Sequence, residues 1–206
     1  MAGLDAMNRW LWAMFAVASV ALLMLVGFWG YQQLGQGQGA RLAIGGPFSL
    51  VDGDGHAVSD RDFRGRLMMI YFGYTRCPDA CPTALNDMAL ALDKLGAQRK
   101  QVQPIFITID PERDKGTAIK DYVAAFGPDF IGLTGAETDI KAAEKEFRVY
   151  AKKHPTKDGD YDMDHTSIIY VMDASGRFVG NFTQETDPDQ MAATLAELTA
   201  ETKTAS

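Results

Sequence analysis

Cys77 and Cys81 stand four positions apart in Tyr71-Phe72-Gly73-Tyr74-Thr75-Arg76-Cys77-Pro78-Asp79-Ala80-Cys81-Pro82, and they are the two cysteines of the chain. A thiolate is the nucleophile of disulfide exchange and also a ligand for soft metals, so the pair is equipped for either task. An apolar run, Leu67 to Phe72, leads into the loop. A helical pattern of Ala84, Leu85, Met88, Leu92 and Leu95 leads out of it. With Cys81 in the first turn of that helix, both sulfurs lie on one side of the loop, and the positive helix end favours thiolate over thiol. Pro78 and Pro82 flank the cysteines and mark a loop, which argues against two inert core thiols.

A third donor would separate the two chemistries. His165 is the candidate, because it follows the acidic stretch 157–164 and opens the next strand instead of sitting in the middle of an apolar face. By residue type it is open to two readings, ligand or structural residue. Two thiolates and one imidazole make a soft, low-coordinate set that suits copper, with zinc as the competitor. A structural zinc site takes four protein ligands, and a third cysteine is lacking. Asp110 and Asp164 are candidates for outer acceptors that orient the imidazole or fix the loop. Met163 offers a soft atom nearby but reads as a loop residue; His56 reads as a surface residue at a turn, and His154 as a C-terminal helix residue.

These residues need elements to position them. The chain has 206 residues and a net charge of −7, enough for one domain with an appendage and without a basic footprint for nucleic acid. From Trp10 to Tyr31 no residue is charged, and aromatic residues stand at both ends. That length and pattern predict a transmembrane anchor over 10–31. A cleaved signal peptide would have a shorter apolar core and a small-x-small site. Arg9 and the free amine oppose Asp5 in the tail 1–9, while the outer flank Gln32 to Ala40 is uncharged. The positive-inside rule then places the tail in the cytoplasm. The rest would face the periplasm, as a single-pass protein of the inner membrane, or the equivalent mitochondrial intermembrane space. The Gln/Gly-rich stretch reads as a flexible linker, 32–43, followed by one domain over 44–200 and a disordered tail over 201–206.

Along the domain the pattern predicts a hairpin from Phe48 to Val58 and strands over Leu67–Phe72 and Val102–Ile109. Helices are predicted over Thr83–Leu95, Ile119–Phe126, Asp139–Lys153 and Met191–Leu198. A short strand Phe130–Leu133, an acidic loop over 157–164 and a final hairpin, Ser167–Met172 with Phe178–Phe182, complete the order. The fold class is α/β: a mixed sheet flanked by helices, with an N-terminal β-hairpin and an antiparallel edge. Strand, thiol loop and helix in succession form a thioredoxin-like arrangement. Sites in such sheets lie at strand C-terminal ends, which brings Cys77, Cys81 and Asp110 together.

Three motifs in this order resemble the Sco/SenC proteins: Tyr71 to Pro82, Ile109-Asp110-Pro111-Glu112-Arg113-Asp114, and Asp164-His165-Thr166-Ser167-Ile168-Ile169-Tyr170. The resemblance covers about Gly46 to Leu198. It implies a thioredoxin fold that binds copper, Cu(I) or Cu(II) or both, through Cys77, Cys81 and His165, with Asp110 in support. It also implies delivery of copper to the CuA site on subunit II of cytochrome c oxidase, or reduction of that site's cysteines. A thiol reductant and another copper chaperone would be further partners. Thioredoxin-type oxidoreductases resemble one another in a cis-proline before the strand that faces their cysteines. Here Asp164-His165-Thr166 occupies that place, and the cysteine spacing is one residue longer. A potential ligand in place of a docking proline favours metal binding over general disulfide exchange. Two functions are therefore expected: a membrane-tethered metallochaperone, a carrier more than an enzyme, and alternatively a thiol–disulfide oxidoreductase of the CuA cysteines or of redox signalling.

Overall fold

The structure, a computed structural model, describes residues 44–157 and 159–204, together with Leu22, Met24 and Leu25, which are helical. Apart from those three positions, the expected tail 1–9, anchor 10–31 and linker 32–43 lie outside the described residues. Among the described residues no helix is long and apolar enough to cross a membrane. The chain divides into two units, 1–42 and 43–206, and the second carries the architecture below.

Among the described residues of this unit, nine strands and four α-helices follow one another. They are β1 (Ser49–Asp52), β2 (Ala57–Ser59), β3 (Leu67–Gly73), α1 (Ala80–Lys94), β4 (Val102–Thr108), α2 (Thr117–Ala124) and β5 (Ile131–Thr134). Then come α3 (Glu137–Phe147), β6 (Ala151–Pro155), β7 (Tyr161–His165), β8 (Ile169–Met172), β9 (Phe178–Phe182) and α4 (Pro188–Thr204). Seven strands form one mixed sheet in the order β2-β1-β5-β4-β3-β8-β9, while β6 and β7 pair separately. β3, β4 and β5 are mutually parallel neighbours, and β8 and β9 add the expected antiparallel edge.

β3 and β4 are buried at every position, as their near-continuous apolar sequences require of interior strands covered on both faces. Successive side chains of β3 point to opposite faces. Phe72 meets Phe147 of α3 on one face, with ring centroids 5.3 Å apart. On the other, Gly73 lies under Cys81 of α1. Each fully buried large apolar side chain contributes about 1.5–3 kcal/mol, so this doubly covered strand pair is the stable floor of the molecule.

The region 148–165 differs from the sequence expectation. The helix predicted over Asp139–Lys153 ends at Phe147, where Arg148 turns left-handed with φ 57° and the Val149 amide donates to the Glu144 carbonyl at 2.8 Å. Tyr150, inside that predicted span, is 57% exposed. His154 lies in β6, not at a helix end, and the expected acidic loop contains β7. His165 therefore closes a strand of its own ribbon and does not open β8. The physical cause is pairing: Ala151 opposes His165 and Pro155 opposes Tyr161, so each stretch satisfies the other's backbone. At the other end, α4 extends to Thr204, past the expected domain limit at 200.

Candidate metal centre

The thiol pair is placed by β3 and α1. β3 ends at Gly73, the Cys77 amide donates to the Tyr74 carbonyl at 3.1 Å, and α1 begins at Ala80. Cys81 thus stands in the first helical turn. The usual cap, Asp79, makes no side-chain capping bond; instead the Cys81 amide donates to the Cys77 Sγ at 3.3 Å. A sulfur here takes the place an N-cap oxygen would fill, at the positive helix end. Gly73 makes room for the second sulfur: a Cβ there would lie 2.7 Å from Cys81 Sγ and 2.9 Å from the Phe106 ring.

His165 reaches the same place from β7. Its Nε2 is 3.5 Å from Cys81 Sγ, and its Nδ1 lies 3.0 Å from the Thr166 carbonyl. Tyr71 and Tyr74 stand edge-on to the imidazole, each with centroids 6.0 Å away. The sulfurs of Cys77 and Cys81 and a ring nitrogen of His165 all lie within 4.8 Å of one another. Cys81 is fully buried, whereas Cys77 and His165 are half-buried. Cys77 and His165 line an open cleft of about 450 Å³ with Pro78, Asp79, Tyr150, Met163 and Asp164, and Cys81 lies buried beneath.

The two thiols are chemically unequal. The hydrogen bond from Cys81, then those from His165 and the backbone amides, hold Cys77 far below its ordinary 9.0, down to about 4. Sharing that bond, and then burial, push the Cys81 thiol well above 9.0. Cys77 is consequently the thiolate at neutral pH and Cys81 the proton holder. Both thiols are free.

The two aspartates expected to support the site are placed differently from each other. Asp164 faces outward on β7, 66% exposed, and pairs with His154 at 2.6 Å, while the imidazole faces the Thr166 carbonyl. Asp110 is buried at the end of β4; it accepts from the Tyr161 hydroxyl at 2.7 Å and faces Arg113 Nε at 3.2 Å. It fixes the loop, one of the two roles considered for it. Met163, expected in a loop, is a buried strand residue on the same face of β7 as His165.

Sequence reasoning missed Asp114. It is fully buried, and its carboxylate accepts from the Thr75 amide at 3.0 Å, the Thr75 hydroxyl at 2.5 Å and the Thr108 hydroxyl at 2.7 Å. Thr75 lies two residues before Cys77, so Asp114 ties the thiol loop to the end of β4. A carboxylate among charged neighbours in a loop reads as solvated; only the fold buries it.

A second cluster, Asp52, Asp54 and His56, sits in the β1–β2 turn and is largely exposed. Lys120 neutralises Asp54 there at 2.7 Å.

The comparisons with known proteins agree with this geometry. A family model described as SCO1/SenC matches residues 36–200. The SCO2-like protein of Rickettsia conorii is 43% identical over 150 residues, 72% of this chain and 73% of its own. The human mitochondrial SCO1 homolog is 39% identical over 156 residues, 74% of this chain and 52% of its own. In three dimensions, Bradyrhizobium japonicum ScoI with copper bound superposes with a TM-score of 0.71 at 47% identity, over 76% of this chain and 99% of that one. Yeast Sco1 with copper bound gives 0.70 at 36%, over 75% and 87%. The mixed, thioredoxin-like sheet is the fold these structures share with it. A match over most of the chain, with two thiols and an imidazole gathered at one cleft, assigns this chain to the SCO1/SenC family.

Proposed function

We propose that the protein is a copper metallochaperone, tethered to a membrane by its N-terminal apolar segment, that serves cytochrome c oxidase assembly at the CuA site of subunit II. The observation that carries this reading is the convergence of Cys77, Cys81 and His165 donors within 4.8 Å from two distant parts of the chain. Soft thiolates with one imidazole select copper over harder cations. A half-exposed, three-donor site in an open cleft suits a cargo that must leave by ligand exchange, since an incoming donor has a side from which to approach. The uncharged stretch 10–31 and the Gln/Gly-rich linker support a tether, which raises the effective concentration near a membrane-embedded partner. The domain would then face the periplasm or the intermembrane space.

One observation favours a second activity at the same pair. Cys77 is a half-exposed thiolate and Cys81 a buried thiol, the arrangement of an attacking and a resolving cysteine. The Cys77 thiolate would attack a partner disulfide, forming a mixed disulfide and releasing one partner thiolate. Cys81, on losing its proton, would displace the second partner thiolate and close a Cys77–Cys81 disulfide. The partner gains two electrons and this chain loses two.

Titration of the reduced domain with Cu(I) against a competing chelator tests the first reading. One copper per chain is expected, and His165→Ala weakens binding by more than the ~10–100-fold cost of losing an outer partner. Unchanged affinity in that variant overturns the three-donor site. In an oxidase-assembly assay the metallochaperone requires both His165 and Cys77, whereas the oxidoreductase survives His165→Ala and fails with Cys77→Ser.

A further inference from the structure

The donors come from two pieces of structure that the large sheet does not join. Among the described residues the β6–β7 ribbon pairs with no strand of that sheet. Tyr161, Met163 and His165 share its inward face, and Tyr161 stands about 13 Å along the strand from His165, at roughly 3.3 Å per residue. At the His165 end, the Thr166 amide donates to the Tyr150 carbonyl and the Tyr150 amide to the Thr166 hydroxyl, both at 3.0 Å.

At the far end the ribbon is gripped by the loop after β4. The Arg113 guanidinium lies over the Tyr161 ring, 3.2 Å from its centroid, and donates to the Tyr161 carbonyl at 2.7 Å. The Tyr161 hydroxyl donates to Asp110 at 2.7 Å, with a Glu112 carboxylate oxygen 3.3 Å away. Lys153 of β6 pairs with Glu112 at 2.6 Å. The Arg113 side chain is 12% exposed and that of Asp110 1%, so the contacts between them and Tyr161 escape most of the screening that weakens surface pairs such as Lys153–Glu112. Asp160 is shared between Arg113 at 3.3 Å and Arg76, the neighbour of Cys77, at 3.4 Å.

Arg113 thus holds the histidine ribbon, and the next residue, Asp114, holds the cysteine loop through Thr75. We infer that Arg113 and Tyr161 are positioning residues: with Asp114 adjacent, they lock the imidazole-bearing ribbon in register with the two thiols. This rests on the reading of His165 as a copper donor, and the pair touches no donor atom itself. Its physical basis is that a two-stranded ribbon is marginal alone and takes its placement from whatever grips it.

The test uses the full chain and begins without metal. The His165 ring lies edge-on to two tyrosines, so its NMR signals report where it stands. In Arg113→Ala those signals are expected to move to the values of a solvent-exposed histidine, and Cu(I) affinity to fall about 10–100-fold, the range for outer-sphere partners. The folded state is checked by the thermal transition. If Arg113→Ala does not fold, Tyr161→Leu, at a half-exposed ribbon position, carries the same test with the same expected result. Wild-type imidazole signals in either folded variant overturn the inference. Failure of the wild-type chain to bind copper instead overturns the metallochaperone reading, and the metal-free signals still judge the positioning role.

Discussion

The cysteine loop and the histidine ribbon meet at one cleft but rest on different kinds of support. The cysteines hang from β3, a strand buried at all its positions and paired on both edges, and from α1, whose inner residues are buried. The histidine stands on two strands that, among the described residues, pair only with each other, held by the buried Met163, by Arg113, by Lys153–Glu112 and by two bonds between residues 150 and 166. The first kind of support is apolar burial, with energy spread over many contacts. The second is one buried apolar residue, Met163, with a small number of polar contacts. The contrast teaches that the thiols are preset by broad burial, whereas the placement of the third donor depends on a few named contacts.

The largest effect should come from the polar residue that belongs to the rigid side. Asp114→Ala leaves three donors without their acceptor, two of them on the thiol loop. At about 1–3 kcal/mol for the buried Thr108 donor left unsatisfied, and less for each half-exposed Thr75 donor, urea denaturation should report a loss of about 3 kcal/mol. A loss below about 1 kcal/mol would show that the loop holds itself.

Gly73→Ala should come next. Its new methyl meets Cys81 Sγ at 2.7 Å and the Phe106 ring at 2.9 Å inside the doubly covered sheet, where neither can retreat freely. Overpacking of this kind costs about 1–3 kcal/mol. The displaced sulfur should also lower Cu(I) affinity in chelator competition. Wild-type stability and affinity together would mean that the floor of the site is softer than the cysteine loop's burial implies.

The pH response of the thiols sharpens the comparison within the rigid half. Cys77 is depressed from 9.0 to about 4, so its contribution is complete above pH 9, declines as pH falls because the unfolded chain binds the extra proton, and is gone below about pH 4. Cys81 is raised, so its contribution is complete below pH 9 and is lost above it. Alkylation of the native chain should therefore modify Cys77 readily at pH 6, slow through about pH 4, and spare Cys81 throughout. Because the bond from Cys81 is the leading cause, Cys81→Ala should raise the Cys77 midpoint. Equal reactivity of the two thiols would contradict the asymmetry.

Much of this site was legible from the chain alone. Leu67–Phe72 and Val102–Ile109 read as interior strands because an element covered on both faces cannot carry polar residues freely, and both stand where expected. The cysteine spacing, with a helix leaving at the second thiol, correctly implied two sulfurs on one side of a loop. The ribbon was misread although its signal was present. Tyr161-Asp162-Met163-Asp164-His165 alternates in and out, but aspartate is poor in strands, and the acidic composition outweighed the period.

What sequence determined by itself is local: the thiols, their strand and helix, and the residue types a soft metal would want. What only tertiary structure decided is which distant groups meet. Asp114 bonds Thr75 across 39 positions, and Cys81 faces His165 across 84. Periodicity reports which way a side chain points over a few turns or strand steps, but not which loop closes against which. That closure made two identical cysteines unequal, gave the imidazole the Thr166 carbonyl as its partner, and placed adjacent residues, Arg113 and Asp114, on the two halves of the site.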